Sequence, residues 1–185
     1  MRIVAGSARG RPLLGPGPHS KDLRPTADRV RETIFNVLGQ WFDGLSVLDL
    51  YAGTGALALE SLSRGAVRAV LVDSGREALS LCRENATALG FASQVRILAL
   101  PVARALDVLA REGAAFELIF ADPPYAAKAV ESLLISVEEK KLLTATGTFV
   151  LEHDKREVAP ERSGGFSQVD QRQFGDTRVT LYRIA

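Results

Sequence analysis

From residue 45 onward, short apolar runs alternate with amphipathic segments, and that alternation restricts the fold more than any other feature of the chain. Leu45–Leu50, Val67–Val72, Val95–Leu98, Phe116–Ala121 and Thr148–Leu151 read as strands; Ala56–Ser63, Arg76–Leu89, Val102–Arg111 and Val130–Leu143 read as the helices between them. Strands joined through helices pair in parallel, and the helices then cover both faces of the sheet. The closing segments Phe166–Phe174 and Arg178–Ile184, on either side of Gly175-Asp176-Thr177, read as an antiparallel hairpin. The expectation is an α/β, Rossmann-like fold with a mostly parallel, seven-stranded sheet, built as a single domain over residues 1–185.

A small N-terminal extension precedes this core. Residues 2–5 and 11–14 are apolar runs around Gly6, Arg9 and Gly10, consistent with a short hairpin, and Gly15-Pro16-Gly17-Pro18 excludes both helix and central strand. Thr26 suits an N-cap for a helix carrying Val30, Ile34, Val37, Leu38 and Trp41 on one stripe, with Arg24, Asp28 and Arg31 off it. Residues 1–24 are thus expected to form a basic hairpin and loop, and residues 25–185 the catalytic core.

Composition narrows the function classes. No run of eighteen apolar residues spans a membrane, no secretory leader is visible, and the single Cys82 cannot close an intramolecular disulfide, so a soluble, cytoplasmic chain is expected. The net charge is only +1, but residues 1–40 hold seven Lys/Arg against three acids. A basic arm on a nearly neutral body suits a polyanion, because phosphate neutralisation releases counterions. Arg2, Arg9, Arg11, Arg24, Arg29 and Arg31 are the candidate nucleic-acid contacts.

Ligands of such sheets bind beyond the C-terminal ends of the strands, at the point where strand order reverses. The first strand ends in Asp49-Leu50-Tyr51-Ala52-Gly53-Thr54-Gly55. Gly53 and Gly55 permit a sharp turn and a close backbone approach. Gly53 to Ala58 also satisfies the G-x-G-x-x-A dinucleotide pattern, with Asp73 near the spacing for a ribose hydroxyl, so a nicotinamide cofactor competes with S-adenosylmethionine. Asp49 favours the second, since a carboxylate there repels a pyrophosphate and attracts an ammonium and a sulfonium.

After the fourth strand stands Asp122-Pro123-Pro124-Tyr125. Two prolines stop the strand and hold Asp122 extended. A stiff turn of this kind presents the Asp122 carboxylate and a nearby carbonyl as convergent acceptors, with Tyr125 as a stacking platform for a splayed base. Two acceptors on an aromatic exocyclic amine favour a tetrahedral nitrogen, which restores the nucleophilicity that ring delocalisation removes. Asp122 either takes the released proton or orients the amine while water takes it. The tetrapeptide alone also admits a DNA base or a protein side-chain amide as acceptor.

Taken together, Arg2–Gly6, Arg9-Gly10-Arg11, Leu23–Thr33, Val47–Leu57, Glu60, Ser63–Ala66, Asp122–Tyr125 and Phe174–Thr177 resemble the RsmD family of bacterial 16S rRNA guanine-N2 methyltransferases, over essentially the whole chain. The resemblance implies a class I methyltransferase fold, S-adenosylmethionine as donor, and one guanine of 16S rRNA as acceptor, met in a partly or fully assembled small ribosomal subunit by a monomeric enzyme. It implies that Asp49, Tyr51, Ala52, Gly53, Thr54, Gly55, Asp73 and Asp122 bind the cofactor, with Thr26 at its methionine end, and that Asp122, Pro123, Pro124 and Tyr125 are catalytic. Leu100-Pro101-Val102 departs from the common acidic residue near the adenine, and Phe174 replaces a tyrosine. His19 and His153 read as surface residues, Trp41 and Cys82 as packing, and Glu152 as solvated or salt-bridged. No metal-ligand cluster is expected.

Overall fold

The computed structural model describes residues 1–17, 28–123 and 129–185, the side chains of Asp28, Arg29 and Ala129 excepted. Strands β1 (Ser46–Leu50), β2 (Arg68–Asp73), β3 (Val95–Ala99), β4 (Phe116–Ala121) and β5 (Leu143–Asp154) are parallel. β8 (Thr177–Ile184) runs antiparallel to β5 and carries β7 (Phe166–Phe174), which carries the short β6 (Arg162–Ser163). The sheet order is β3-β2-β1-β4-β5-β8-β7-β6, so the order reverses between β1 and β4. Among the described residues the sheet has eight strands rather than the expected seven: two-residue β6 is too short to leave a periodic signal. β7 shifts register between Gln168 and Asp170, and Val169 is half exposed there.

One face of the sheet is covered by α1 (Asp28–Leu38), α2 (Ala56–Ser63) and α3 (Arg76–Leu89), together with Ile3, Ala8 and Leu13 of the N-terminal arm. The other is covered by α4 (Val102–Arg111) and α5 (Ala129–Glu139). Period-two alternation assigns β1 side chains to the two cores: Val47 joins the first, Leu48 and Leu50 the second. By the same alternation Asp49 lies on the α2 side, where its Oδ2 accepts the Ala58 N–H at 3.2 Å. Among the described residues no helix is long and apolar enough to cross a membrane.

Three local readings change. α5 ends at Glu139 rather than running to Leu143, because Lys141 takes φ 52°. Its N–H donates to the Glu138 carbonyl and the Leu142 N–H to the Val137 carbonyl, a Schellman closure with lysine where glycine is usual. Released from the helix, the chain enters β5 at Leu143, earlier than the expected Thr148. Trp41 is 73% exposed rather than core. Gly39 (φ 105°) ends the helical phase, and Phe42 fills the core instead, edge-on to Phe35 at 5.6 Å. His153 is buried rather than on the surface, with Nδ1 at the Asp154 carbonyl and Nε2 at Thr180 Oγ1.

The largest change concerns Arg31. Expected on the exposed basic face, it is fully buried, 3.8 Å from Glu60 through its Nε, and is withdrawn from the RNA-contact set. Every residue of α2 is buried, so its polar side chains must find partners inside. Glu60 accepts the Val4 and Ala5 N–H groups at 2.8 and 2.9 Å and the Arg64 guanidinium at 2.9–3.0 Å. Arg64 in turn lies 4.5 Å over the Phe35 ring. Ser63 Oγ accepts from the Ala8 N–H and donates to the Ala5 carbonyl. Between these contacts, Gly6 (φ 82°) passes so close that an added Cβ would lie 1.8 Å from the Ser63 carbonyl oxygen.

The arm, α1 and α2 are therefore joined at one buried carboxylate. Glu60→Gln is expected to lower the free energy of unfolding by about 3 kcal/mol, because it leaves two buried guanidinium groups undercompensated. Urea denaturation of parent and variant checks this, and coincident midpoints would refute it.

Candidate active site

The reversal of strand order at β1 and β4 opens a crevice at the C-terminal edge of the sheet, and the expected site residues converge there. β1 and β4 are in register through Asp49↔Phe120 and Leu50↔Ala121, so Asp122 follows directly beyond the strand end next to Tyr51. β1 and β2 are in register through Leu50↔Val72, so Asp73 stands on the other side. The crevice is flanked by carboxylates from three neighbouring strands.

The turn after β1 is built from three left-handed residues. Tyr51, Gly53 and Gly55 have φ of 61°, 56° and 76°, and a tyrosine in that region is strained. The turn is held from several sides. Ala52 N–H donates to the Val72 carbonyl at 3.0 Å and Gly55 N–H to the Ala52 carbonyl at 2.7 Å. Gly53 N–H donates to Asp73 Oδ2 at 2.9 Å. A Cβ on Gly55 would fall 2.8 Å from Leu71 Cδ2, so close helix–strand packing requires glycine there. Ala52 and Thr54 are buried and Tyr51 half-buried.

Sequence reasoning missed the support that comes from α3. Cys82 Sγ donates to the Gly53 carbonyl at 3.3 Å, and Asn85 Nδ2 donates to the Thr54 carbonyl at 3.0 Å. Cys82 and Asn85 are three apart and share one helix face. Cys82 is buried, as packing requires, but it also braces the turn. Burial raises its thiol pKa above the ordinary range, which keeps it protonated as a donor.

The electrostatics of the crevice oppose an anion. Burial raises the Asp49 carboxyl well above its ordinary range; the Ala58 N–H lowers it, while Asp73 and Asp122 add like charge. Burial pushes Asp122 up to about 6. Asp73 Oδ1 accepts the Gly75 N–H at 2.8 Å in addition to the Gly53 contact on Oδ2. A carboxylate has about four lone-pair sites, which leaves Asp73 capacity for a diol. A ligand with a positive centre between Asp49 and Asp122 and hydroxyls at Asp73 relieves these costs, whereas a pyrophosphate increases them. The donor set fits S-adenosylmethionine and opposes a dinucleotide.

Pro123 is buried at the β4 end. Pro124, Tyr125, Arg24, Thr26 and His19 lie outside the described residues, as does the Arg29 side chain. In α5 the Val130 N–H donates to Glu157 Oε1 at 3.0 Å. Of the basic arm, Arg2 and Arg9 are exposed. Arg11 is exposed too, but its guanidinium donates to the Leu89 carbonyl at 3.0 Å and to the Ala88 carbonyl, capping α3. Among the described residues no group of acids, histidines and cysteine could hold a metal ion.

A family model described as conserved hypothetical protein 95 matches residues 1–183. The ribosomal RNA small subunit methyltransferase D of Escherichia coli K12 is 33% identical over 99% of this chain and 89% of its own length. The chain belongs to the RsmD family. Within this family's wider similarity, the YlbH protein of Bacillus subtilis strain 168 is 36% identical over 99% of this chain and 98% of its own. The solved structure of Escherichia coli yhhF superposes with a TM-score of 0.84 at 32% identity, covering 100% of this chain and 97% of that one. The architecture of this RsmD-family chain is the class I methyltransferase fold, with β6 added at the sheet edge.

The raised Asp122 carboxyl has a measurable consequence. Its folded pKa of about 6 exceeds its ordinary value of 3.8, so the cost is absent below the ordinary value and grows as pH rises through 6. Asp122→Asn is expected to be more stable than the parent by about 3 kcal/mol at pH 7 and equal to it near pH 3. Thermal unfolding across that range checks the sign, and a variant less stable at pH 7 would refute it.

Proposed function

We propose that this chain transfers a methyl group from S-adenosylmethionine to the exocyclic N2 of a guanine in 16S rRNA. The observation that carries the reading is the crevice at the strand reversal, where Asp49, Asp73 and Asp122 surround a Gly-rich turn in a chain of the RsmD family. S-adenosylmethionine supplies a methyl carbon on a sulfonium, which departs with the bond's electron pair as a neutral thioether.

The chain's own residues then have distinct tasks. Asp73 accepts ribose hydroxyls, while the backbone of Tyr51, Ala52, Gly53, Thr54 and Gly55 shapes the pocket against the donor's methionine part. Asp49 lies beneath it, its ionised form favoured once the cationic donor is present, and the family resemblance assigns Thr26 to the methionine end. Pro123 and Pro124 stiffen the turn that holds Asp122 at the acceptor, and Tyr125 stacks on the splayed guanine. Asp122 accepts one N–H of the amine and, with a pKa of about 6, is basic enough to receive the released proton. Positioning and desolvation make up the remainder of the catalysis. Arg2 and Arg9, with Arg24 and Arg29, contact phosphates of the RNA around the target.

Purified protein with labelled S-adenosylmethionine is expected to methylate 16S rRNA, or immature small subunits, from a strain lacking the RsmD-type enzyme. Nucleoside mass mapping would locate the product, and failure to label either substrate refutes the reading. Asp122→Ala is expected to lose at least about 100-fold in transfer while adenosylhomocysteine binds within a few-fold of the parent. Unchanged turnover would remove Asp122 from the mechanism. Arg2→Ala and Arg9→Ala are each expected to weaken RNA binding and reduce its salt dependence by about one unit of slope. Filter binding across a salt series measures both.

A further inference from the structure

The N-terminal arm does more than cover the core: it runs the length of α3 in the opposite direction. Arg11 is fastened to the carbonyls of Ala88 and Leu89 at the helix C-terminus. Leu14 meets Asn85 one turn back, and the Gly17 N–H reaches Glu77 Oε1 at 3.0 Å near the helix start. The helix rises about 18 Å between residues 77 and 89. Extended chain covers about 20 Å between residues 11 and 17. Arm and helix therefore match in length, and the arm is delivered to the end of α3 that begins beside Asp73.

At the middle of this strap, Asn85 is a junction. It is 1% exposed. Its Oδ1 accepts the Leu14 N–H at 2.7 Å, and its Nδ2 donates to both the Leu14 carbonyl at 3.1 Å and the Thr54 carbonyl at 3.0 Å. One buried amide thus satisfies both backbone groups of an arm residue and one carbonyl of the Gly-rich turn. An amide is the side chain suited to this task, since it offers an acceptor and two donors on one planar group. The bond to the Thr54 carbonyl is buried, so leaving it unmade is costly, whereas Leu14 itself is half exposed.

We propose that Asn85 is a positioning residue that sets the methyl-donor turn and ties its geometry to the N-terminal arm. The claim rests on the assignment of this turn to S-adenosylmethionine in the preceding subsection. When the arm is seated, Asn85 is held in the rotamer that fixes the Thr54 carbonyl. When the donor site is filled and the turn is rigid, the same amide holds Leu14. Coupling of this kind is reciprocal: whatever orders one end must order the other. An arm that carries exposed Arg2 and Arg9 would in this way report acceptor engagement to the donor pocket.

The test uses adenosylhomocysteine as the probe and Asn85→Ala as the variant, with Asn85→Ser as a second in case the first does not fold. The serine hydroxyl is too short to reach both chains. By calorimetry well below either unfolding temperature, the variants are expected to bind adenosylhomocysteine about tenfold more weakly, the loss of one buried hydrogen bond. Transfer assays are expected to show the change in KM for S-adenosylmethionine with kcat within about twofold of the parent, a split that destabilisation alone does not produce. In hydrogen exchange, saturating adenosylhomocysteine is expected to protect residues 8–17 in the parent and not in the variants. Equal affinity, or protection of the arm that survives the substitution, overturns the proposal. A parent chain that binds no adenosylhomocysteine overturns instead the donor assignment beneath it.

Discussion

A carboxylate removed from water is tolerated only when its charge and its lone pairs are all met, and Glu60 is met from three directions. Backbone N–H groups of the arm, the Arg64 guanidinium on its own helix and Arg31 from α1 surround it. The arrangement explains how a helix as polar as Glu60-Ser61-Leu62-Ser63 can be wholly buried. It also explains how a basic, Gly- and Pro-rich arm, which could not hold a conformation alone, becomes part of the core. Glu60 fixes the start of the arm, and the contacts of Arg11, Leu14 and Gly17 carry it on along α3.

The crevice shows the opposite economy. Asp49, Asp73 and Asp122 lie close enough for Asp49 to sense the other two, and burial disfavours the ionised forms of Asp49 and Asp122. Tyr51 adds a left-handed backbone. Local rules of stability are broken at the crevice, and the surrounding packing holds the breach open. Strain concentrated at the switch point, with satisfied polar groups around it, separates this site from the rest of the fold.

Much of this was legible beforehand, and the failures have physical causes. Ala56–Ser63, Arg76–Leu89, Val102–Arg111 and Phe116–Ala121 were bounded correctly because glycine turns and period changes bracket them. The end of α5 was hidden because Lys141 adopts the left-handed geometry without being glycine. Trp41 was placed on a stripe that Gly39 had already interrupted. The burial of Arg31 is not legible from its charge, because its partner Glu60 lies 29 residues away in another helix. Within the site, the glycines, Asp49, Asp73 and Asp122 announced themselves by following strands. Asn85 and Cys82 did not, since only the docking of α3 reveals that their shared face meets the turn.

β7 is a nine-residue strand that two-residue β6 covers at one end only. Long bare edges invite neighbouring molecules to add strands. This one bears Asp170 and Arg172, bridged at 3.1 Å, and a register shift that twists the strand at Val169. A second molecule approaching side-on would meet misaligned amides and fixed charges instead of a flat template. Side-by-side strand addition is thereby disfavoured along most of this edge.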